Sequence, residues 1–410
     1  MFSRDYWPGY YKRAKGARVW DLDGVEYLDM SIASVGACVL GYADDEVDDA
    51  VVRAIRDGVA SSLNCPEEVM LADLLCELHP WADMARFARS GGEAMSVAVR
   101  IARAHTKRDV VAFCGYHGWM DWYLAANLAE DSALDGHLIQ GLAPTGVPRG
   151  LLGTAFPFAY NHPEQLEQIV KAHGDKLAAI VMEPVRDEMP APGFIQKVRN
   201  LADACGAVLI MDEVSAGFRY CTGGAHLVLH PVMPDMAVFS KGIGNGYAIS
   251  AVIGKRAVME AAQCTFISST NWTERVGPVA AMATINKHRR EKAHEQFARH
   301  GLRIKTAWAS IGAKYGFAMH VGGMDAMAHF SFEDPDFLSY KAYFVQLMLE
   351  QGFLASNLCY LMLAHTDADA DVYLEACDKA FAQLADAREK GDVAKRLKGK
   401  PSMAGFKRFA

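Results

Sequence analysis

Three short segments of this chain carry residue types that can do chemistry. The first is Phe239-Ser-Lys-Gly-Ile-Gly-Asn-Gly-Tyr. Lys241 follows an apolar run and precedes three glycines in five residues, a backbone that can approach a ligand closely. A nucleophilic lysine must have its amine desolvated or flanked so that its pKa falls. The competing reading is a surface lysine beside a flexible loop, and a glycine-rich stretch alone does not decide between them. The second segment is Leu209-Ile-Met-Asp-Glu-Val-Ser-Ala-Gly-Phe-Arg, which puts Asp212 at the carboxyl end of a buried strand. Ligands of open α/β sheets bind there. Such a carboxylate can serve a metal, a ribose or a protonated ring nitrogen, or it can simply cap a helix. The third is Ser90-Gly-Gly-Glu-Ala, between a strand and a helix. Two glycines at a helix start expose backbone N–H groups where the dipole favours an anion such as phosphate. Ser90 and Glu93 also fit an ordinary capping box, which is compatible with that reading.

These segments need a scaffold, and the hydrophobic pattern supplies one. Ala17 to Asp21 and Val25 to Asp29 alternate around Asp23-Gly24, which predicts a hairpin. Asp45 to Asp57 has helical spacing, with Val47, Val51, Val52 and Ile55 on one face. From Arg86 to Gly254, strands at Val110, Leu177, Ala207, Met236 and Ala251 alternate with helices at Glu93–Thr106 and Ile195–Cys205. Short apolar strands alternating with helices imply a mainly parallel sheet covered on both faces. Val279 to Ser310 reads as one long helix or two. Strands at Ala318–Val321, Met327–Phe332 and Gly352–Leu354 then mix with helices in a smaller α+β domain. The domain expectation is residues 1–60 with the small domain, 61–285 as the large one, and 286–410 completing the small one. The basic end, Glu389 to Ala410, is expected on the surface.

Composition narrows the function. A chain of 410 residues, 22% charged, is an ordinary globular size and mix for two or three domains. A net charge of −7 argues against a nucleic-acid binder and gives no reason to expect an anionic membrane. No signal peptide is legible at the start, and no apolar run is long enough to span a bilayer. Nine scattered cysteines without a CxxC pair suit reduced thiols in a cytoplasmic enzyme, with no metal site. No GxxxxGK[ST] loop occurs, which removes the commonest nucleotide site.

Taken in order, Ser90-Gly-Gly-Glu-Ala, Tyr116-His-Gly, Met182-Glu-Pro-Val, Asp212-Glu-Val-x-x-Gly-Phe-Arg and Ser240-Lys-Gly resemble the class III aminotransferases. These are pyridoxal 5′-phosphate (PLP) enzymes of fold type I, and the resemblance is closest to the glutamate-1-semialdehyde 2,1-aminomutase branch. It runs from Asp21-Leu-Asp-Gly to Leu363-Ala-His-Thr. It implies an α/β transferase fold with a large, mostly parallel mixed sheet between helices, plus a smaller α+β domain. It also implies that Lys241 holds PLP as a Schiff base and shuttles a proton. Asp212 would pair with the ring nitrogen, which makes the ring an electron sink. Val214 would cover one ring face and Tyr116 the other, with His117 beside it. Gly91 and Gly92 would bind the phosphate, and Glu183 would lie toward the substrate. The family also takes a threonine from a partner subunit. Spacing to Pro278 selects Thr273, while the local Ser-Thr pattern selects Thr270. Either implies a homodimer with shared active sites.

The departures lie where substrate would be read. Asn357 stands where this branch usually has glutamate, and Asn271-Trp-Thr-Glu-Arg-Val-Gly-Pro replaces a Gly-Asn-Pro segment. Arg186 and Arg275 could each grip a carboxylate or phosphate, or form structural ion pairs with Asp187 or Glu188 and with Glu274. Trp119, Trp122 and Trp272 could wall a pocket or simply pack. The leading expectation is an aminotransferase acting on small amine and keto substrates. An aminomutase, which keeps one substrate through both half-reactions, is the alternative. A noncatalytic PLP-fold binding protein is a second alternative, against which Lys241 and Asp212 argue.

Overall fold

The computed structural model describes residues 6–130, 132–137 and 140–401. The chain opens with antiparallel strands β1 (Tyr11–Lys15), β2 (Arg18–Asp21) and β3 (Glu26–Met30). The Asp23-Gly24 turn forms because Asp21 Oδ1 accepts the N–H groups of Asp23 and Val25 at 3.0 and 2.9 Å. Gly24 takes φ 84°, which a side chain would resist. The strand β1 is an addition to the expected hairpin and pairs with β2.

The large unit runs from Asp49 to Asn286. Its seven strands are β4 (Met84–Ala88), β5 (Val110–Cys114), β6 (Ala155–Pro157), β7 (Leu177–Met182), β8 (Val208–Asp212), β9 (Met236–Phe239) and β10 (Ser250–Gly254). Their order across the sheet is β4-β10-β9-β8-β7-β5-β6. The β6, β5, β7, β8 and β9 pairings are all parallel, and β10 runs antiparallel to both its neighbours. Every residue of β5, β7, β8, β9 and β10 is buried, so alternation feeds two cores. Ile180, Met182, Leu209 and Met211 face the helices Pro163–His173 and Phe194–Cys205. Ala179, Val181, Val208 and Ile210 face the helix Gly91–Thr106. Burial on both faces explains why these strands read as unbroken apolar runs.

The second unit joins the residues up to Asp48 with those from Lys287 onward. The division therefore falls inside the helices Asp45–Arg56 and Val276–Arg290. On the first of these, Val47 and Val51 are buried while Val52 and Ile55 are exposed, so the apolar face is only half covered within one chain. Of the one or two helices expected at Val279–Ser310 there are two, Val276–Arg290 and Ala293–Lys314, with a break at Lys292, φ 50°. The strands β11 (Met319–Gly322), β12 (Met327–Phe332) and β14 (Leu358–Tyr360) form one sheet, and β13 (Phe353–Ala355) joins β3 in parallel. An aromatic core of Trp308, Phe330, Phe344 and Phe381 fills the space between the first sheet and its helices, with Trp308 and Phe330 centroids 4.9 Å apart. Thr366 and Asp369 form a capping box that starts the helix Asp367–Glu389. No helix of the described residues is long and apolar enough to cross a membrane.

Candidate active site

Asp212 is the last residue of β8 and is buried. Its Oδ1 accepts the Val214 N–H at 2.9 Å, and its Oδ2 accepts the Nδ1–H of His117 at 2.7 Å. His117 is also buried, stacks on Trp122 at 6.2 Å, and has a buried Nε2 with no hydrogen-bond partner. The carboxylate is thus oriented from two sides before any ligand arrives.

Lys241 follows β9 at the start of a short 3₁₀ turn and takes φ 46°, an uncommon conformation for a non-glycine residue. Its Nζ donates to Ser215 Oγ at 2.6 Å. Burial pushes the Lys241 ammonium below the usual lysine range. The charges of Asp212 and Glu183 oppose that shift, and Arg219 reinforces it. A largely desolvated amine near a carboxylate is the environment an imine-forming lysine needs.

The helix Gly91–Thr106 begins beside this pair. Ser90 is its N-cap and accepts the Glu93 N–H, while the Glu93 carboxylate accepts the Arg89 N–H at 2.7 Å. The first helical N–H groups, at Gly91 and Gly92, have no partner within the helix. A Cβ at Gly91 would lie 3.0 Å from Val214 Cγ1, and a Cβ at Gly118 would lie 3.1 Å from the Gly92 Cα. Glycine at these positions lets the Val214 segment and the Tyr116–Gly118 turn close on the helix start.

That turn is pinned from below. The Gly115 N–H donates to His137 Nδ1 at 3.1 Å, and Tyr123 Oη donates to the Gly115 carbonyl at 3.1 Å. The Tyr116 N–H donates to Glu183 Oε2 at 3.3 Å. Burial pulls His137 down to about 4, so its imidazole is neutral near pH 7 and able to accept. Burial raises the Glu183 carboxyl above its usual range, against the pull of the Arg186 guanidinium 3.1 Å away.

A buried amine, an oriented carboxylate and a glycine-lined helix start are the donor set that an aldehyde, a ring nitrogen and a phosphate would use. The residues therefore fit PLP. The class III aminotransferase family model matches residues 2–381. The chain belongs to the class III aminotransferases. This aminotransferase is 32% identical over 391 residues to the 3-aminobutyryl-CoA aminotransferase of Cloacimonas acidaminovorans (strain Evry), covering 92% of this chain and 90% of that one. It is 30% identical over 412 residues to the glutamate-1-semialdehyde 2,1-aminomutase of Persephonella marina (strain DSM 14350 / EX-H1), covering 92% of each. Among solved structures it resembles the PLP internal aldimine form of the FumI protein of Sphingopyxis sp. MTA144, with a TM-score of 0.83 and 26% identity over 96% of this chain and 91% of that one. It is a PLP-dependent enzyme of small amine and keto substrates, with the α/β transferase fold the motifs implied.

The remaining sequence candidates divide. Arg186 pairs with Glu183 rather than with Asp187 or Glu188, because Glu183 lies within the cluster while those two side chains are exposed. Arg275 does not pair with Glu274. Its Nε and Nη2 both donate to Glu67 Oε1, at 2.9 and 2.7 Å, so its charge is held by the helix Pro66–Leu78. Trp119 is 69% exposed and walls nothing within one chain, whereas Trp122 backs His117. The Trp272 ring lies under the Arg86 guanidinium at 4.6 Å. Thr270 is exposed and Thr273 half-buried, in a segment whose Asn271, Trp272 and Glu274 carbonyls all accept from Arg89. Asn357 belongs to the other unit, where its Nδ2 donates to the Phe330 carbonyl at 2.9 Å. Sequence reasoning missed Ser215 and His137. Ser215 stood in view within the Asp212 motif, but strand periodicity stops at Asp212 and says nothing of where the next turn points its side chains. Nothing in the spacing signals His137.

Proposed function

We propose that Lys241 is the lysine that holds PLP and that Asp212 faces the ring nitrogen. The observation that carries this reading is the pairing of a buried lysine amine with an Asp212 carboxylate held by His117 at 2.7 Å. Bound PLP supplies an electron sink that makes the C–H bond beside an attached amino group acidic. Lys241 Nζ, with its pKa lowered by burial, is a base for that proton and an acid for its return. Asp212 would keep a proton at the ring nitrogen, and His117 holds Asp212 in place. Tyr116 and Val214 would hold the ring, and the N–H groups of Gly91 and Gly92 would receive the phosphate. Glu183 and Arg186 form a mutually neutralising pair toward the substrate side. A donor carrying a carboxylate is read by Arg186 when that pair opens.

The same reading makes the enzyme a homodimer, with Thr273, or else Thr270, completing the phosphate site of the partner. Exposed apolar side chains on the large unit support a subunit interface: Val59, Leu63, Val69, Met70, Trp119 and Phe266. The cysteines, none of them in a disulfide among the described residues, are consistent with a reducing cytoplasm. A second reading, an aminomutase, is supported by the 30% identical relative of that name. The side chain of Asn357, tied to Phe330, weighs against it.

Borohydride reduction of the PLP-loaded chain should fix the cofactor on Lys241 in wild type and fail to do so in Lys241→Ala. Label on a different lysine would end this assignment. Turnover that depends on an added keto acceptor marks the aminotransferase, and turnover of a single substrate without one marks the aminomutase.

A further inference from the structure

Ser215 lies three residues beyond Asp212, in a turn that is fixed rather than free. The Glu213 N–H donates to the Val238 carbonyl at 2.8 Å, and the Gly217 N–H donates to the Glu213 carbonyl at 2.8 Å. The buried Glu213 carboxylate accepts the N–H groups of Ala225 and His226, each at 2.9 Å, and the His226 ring at 2.6 Å. One turn therefore presents the Asp212 carboxylate, the Val214 side chain and the Ser215 hydroxyl from a rigid base. The hydroxyl accepts from Lys241 Nζ at 2.6 Å.

We propose that Ser215 is a catalytic residue whose hydroxyl holds Lys241 Nζ while that nitrogen takes up and gives back the substrate proton. The proposal rests on the assignment of Lys241 made above. A neutral amine has two N–H groups and one lone pair, and an ammonium has three N–H groups. Ser215 Oγ can accept one N–H in either state, so it holds the nitrogen through the whole exchange and leaves the lone pair directed away from itself. When the donor's C–H bond breaks, its electron pair stays with the substrate and the proton becomes the third N–H of Nζ. On return that N–H breaks, its pair stays on nitrogen, and the amine is neutral again. A carboxylate in place of the hydroxyl would add an opposite charge beside the ammonium, favour the charged form and oppose its action as a base. The charged groups acting on Nζ are Asp212, Glu183 and Arg219, while the hydroxyl that accepts from it is neutral.

The test uses the full-length chain freed of PLP, with PLP itself as the probe. The rate at which Lys241 captures added PLP, followed by visible absorption, is measured against pH in wild type, Ser215→Ala and Ser215→Thr. Losing a neutral acceptor of the ammonium should move the inflection of Ser215→Ala down by about half a pH unit or more. Ser215→Thr, which keeps a hydroxyl, should stay with wild type. The single-turnover half-reaction with the donor that bleaches wild type fastest should slow about tenfold in Ser215→Ala, and deuterium at the donor carbon should slow it further. A Ser215→Ala chain with the wild-type inflection and half-reaction, and with borohydride still fixing PLP on Lys241, overturns the role of Ser215 alone. Borohydride label on another lysine overturns the assignment of Lys241 and the role of Ser215 together.

Discussion

Asp212 and His117 show how a single contact organises chemistry that neither residue type announces. An aspartate at a strand end suits several ligands, and a buried histidine is usually a core residue. Together, at 2.7 Å and out of water, they form an oriented carboxylate backed by an imidazole. Replacing His117 with phenylalanine keeps the stack on Trp122 and removes only the hydrogen bond. Because hydrogen bonds to charged groups are worth about 1.5–3 kcal/mol, the half-reaction should slow about ten- to a hundredfold while PLP stays bound. Stopped-flow absorption with a fixed amine donor would read it, and an unchanged rate would leave His117 a packing residue. Lys241, Asp212 and Gly91 were legible as candidates because their residue types stand at strand and helix ends. The pairings were not. His117 reaches Asp212 across 95 positions, and Arg275 reaches Glu67 across 208. Local spacing carries no information over such separations, so the nearest acid in the chain was the wrong partner for Arg275.

Helices and strands were more legible than their contacts. Unbroken apolar runs at β7 and β8 predicted strands buried on two faces, and both are. Of the two readings open for Val279–Ser310, one long helix or two, the structure takes the second, with its break at Lys292 inside the polar run Lys287-His-Arg-Arg-Glu-Lys. Glycines show where an element serves a neighbour rather than itself. At Gly301, inside the helix Ala293–Lys314, alanine would favour the helix by about 1 kcal/mol. A Cβ there would meet the Asp325 carbonyl oxygen at 1.8 Å, a backbone atom that cannot swing aside. The clash should win, so Gly301→Ala is expected to destabilise the chain by about 1–3 kcal/mol in urea denaturation. Gly91 is different, since the nearest atom to its Cβ would be Val214 Cγ1 at 3.0 Å, in the proposed ring-holding side chain. Gly91→Ala should fold normally and bind PLP about tenfold more weakly by fluorescence titration, which would separate a site defect from a folding defect.

For the molecule as a whole, buried imidazoles set the acid limit. Burial pulls His79, His137 and His230 from 6.5 to about 4 each. Between those values the unfolded chain binds more protons than the folded one, so stability falls as pH drops from about 6.5 through 4 and is unaffected by these groups above that window. Glu183 and Glu68, whose carboxyls are raised by burial, work the other way above 4.5, but His294, His300 and His365 are also lowered by burial and add to the decline. Urea midpoints between pH 7 and 4 should therefore decline, and His79→Gln, His137→Gln or His230→Gln should each flatten the decline relative to its own value at pH 7. Equal slopes in all four proteins would refute the assignment.

One pairing has a consequence for how the chain is made. Leu28 in β3 finds its parallel partner Phe353 in β13 only near the far end of the sequence. At about 5–20 residues per second, a ribosome leaves that edge without its partner for on the order of half a minute. The large unit lies wholly between the two strands and can complete its own sheet during that wait. The N-terminal strands are therefore the part of the nascent chain most in need of a chaperone, and in a crowded cell they are its first aggregation hazard.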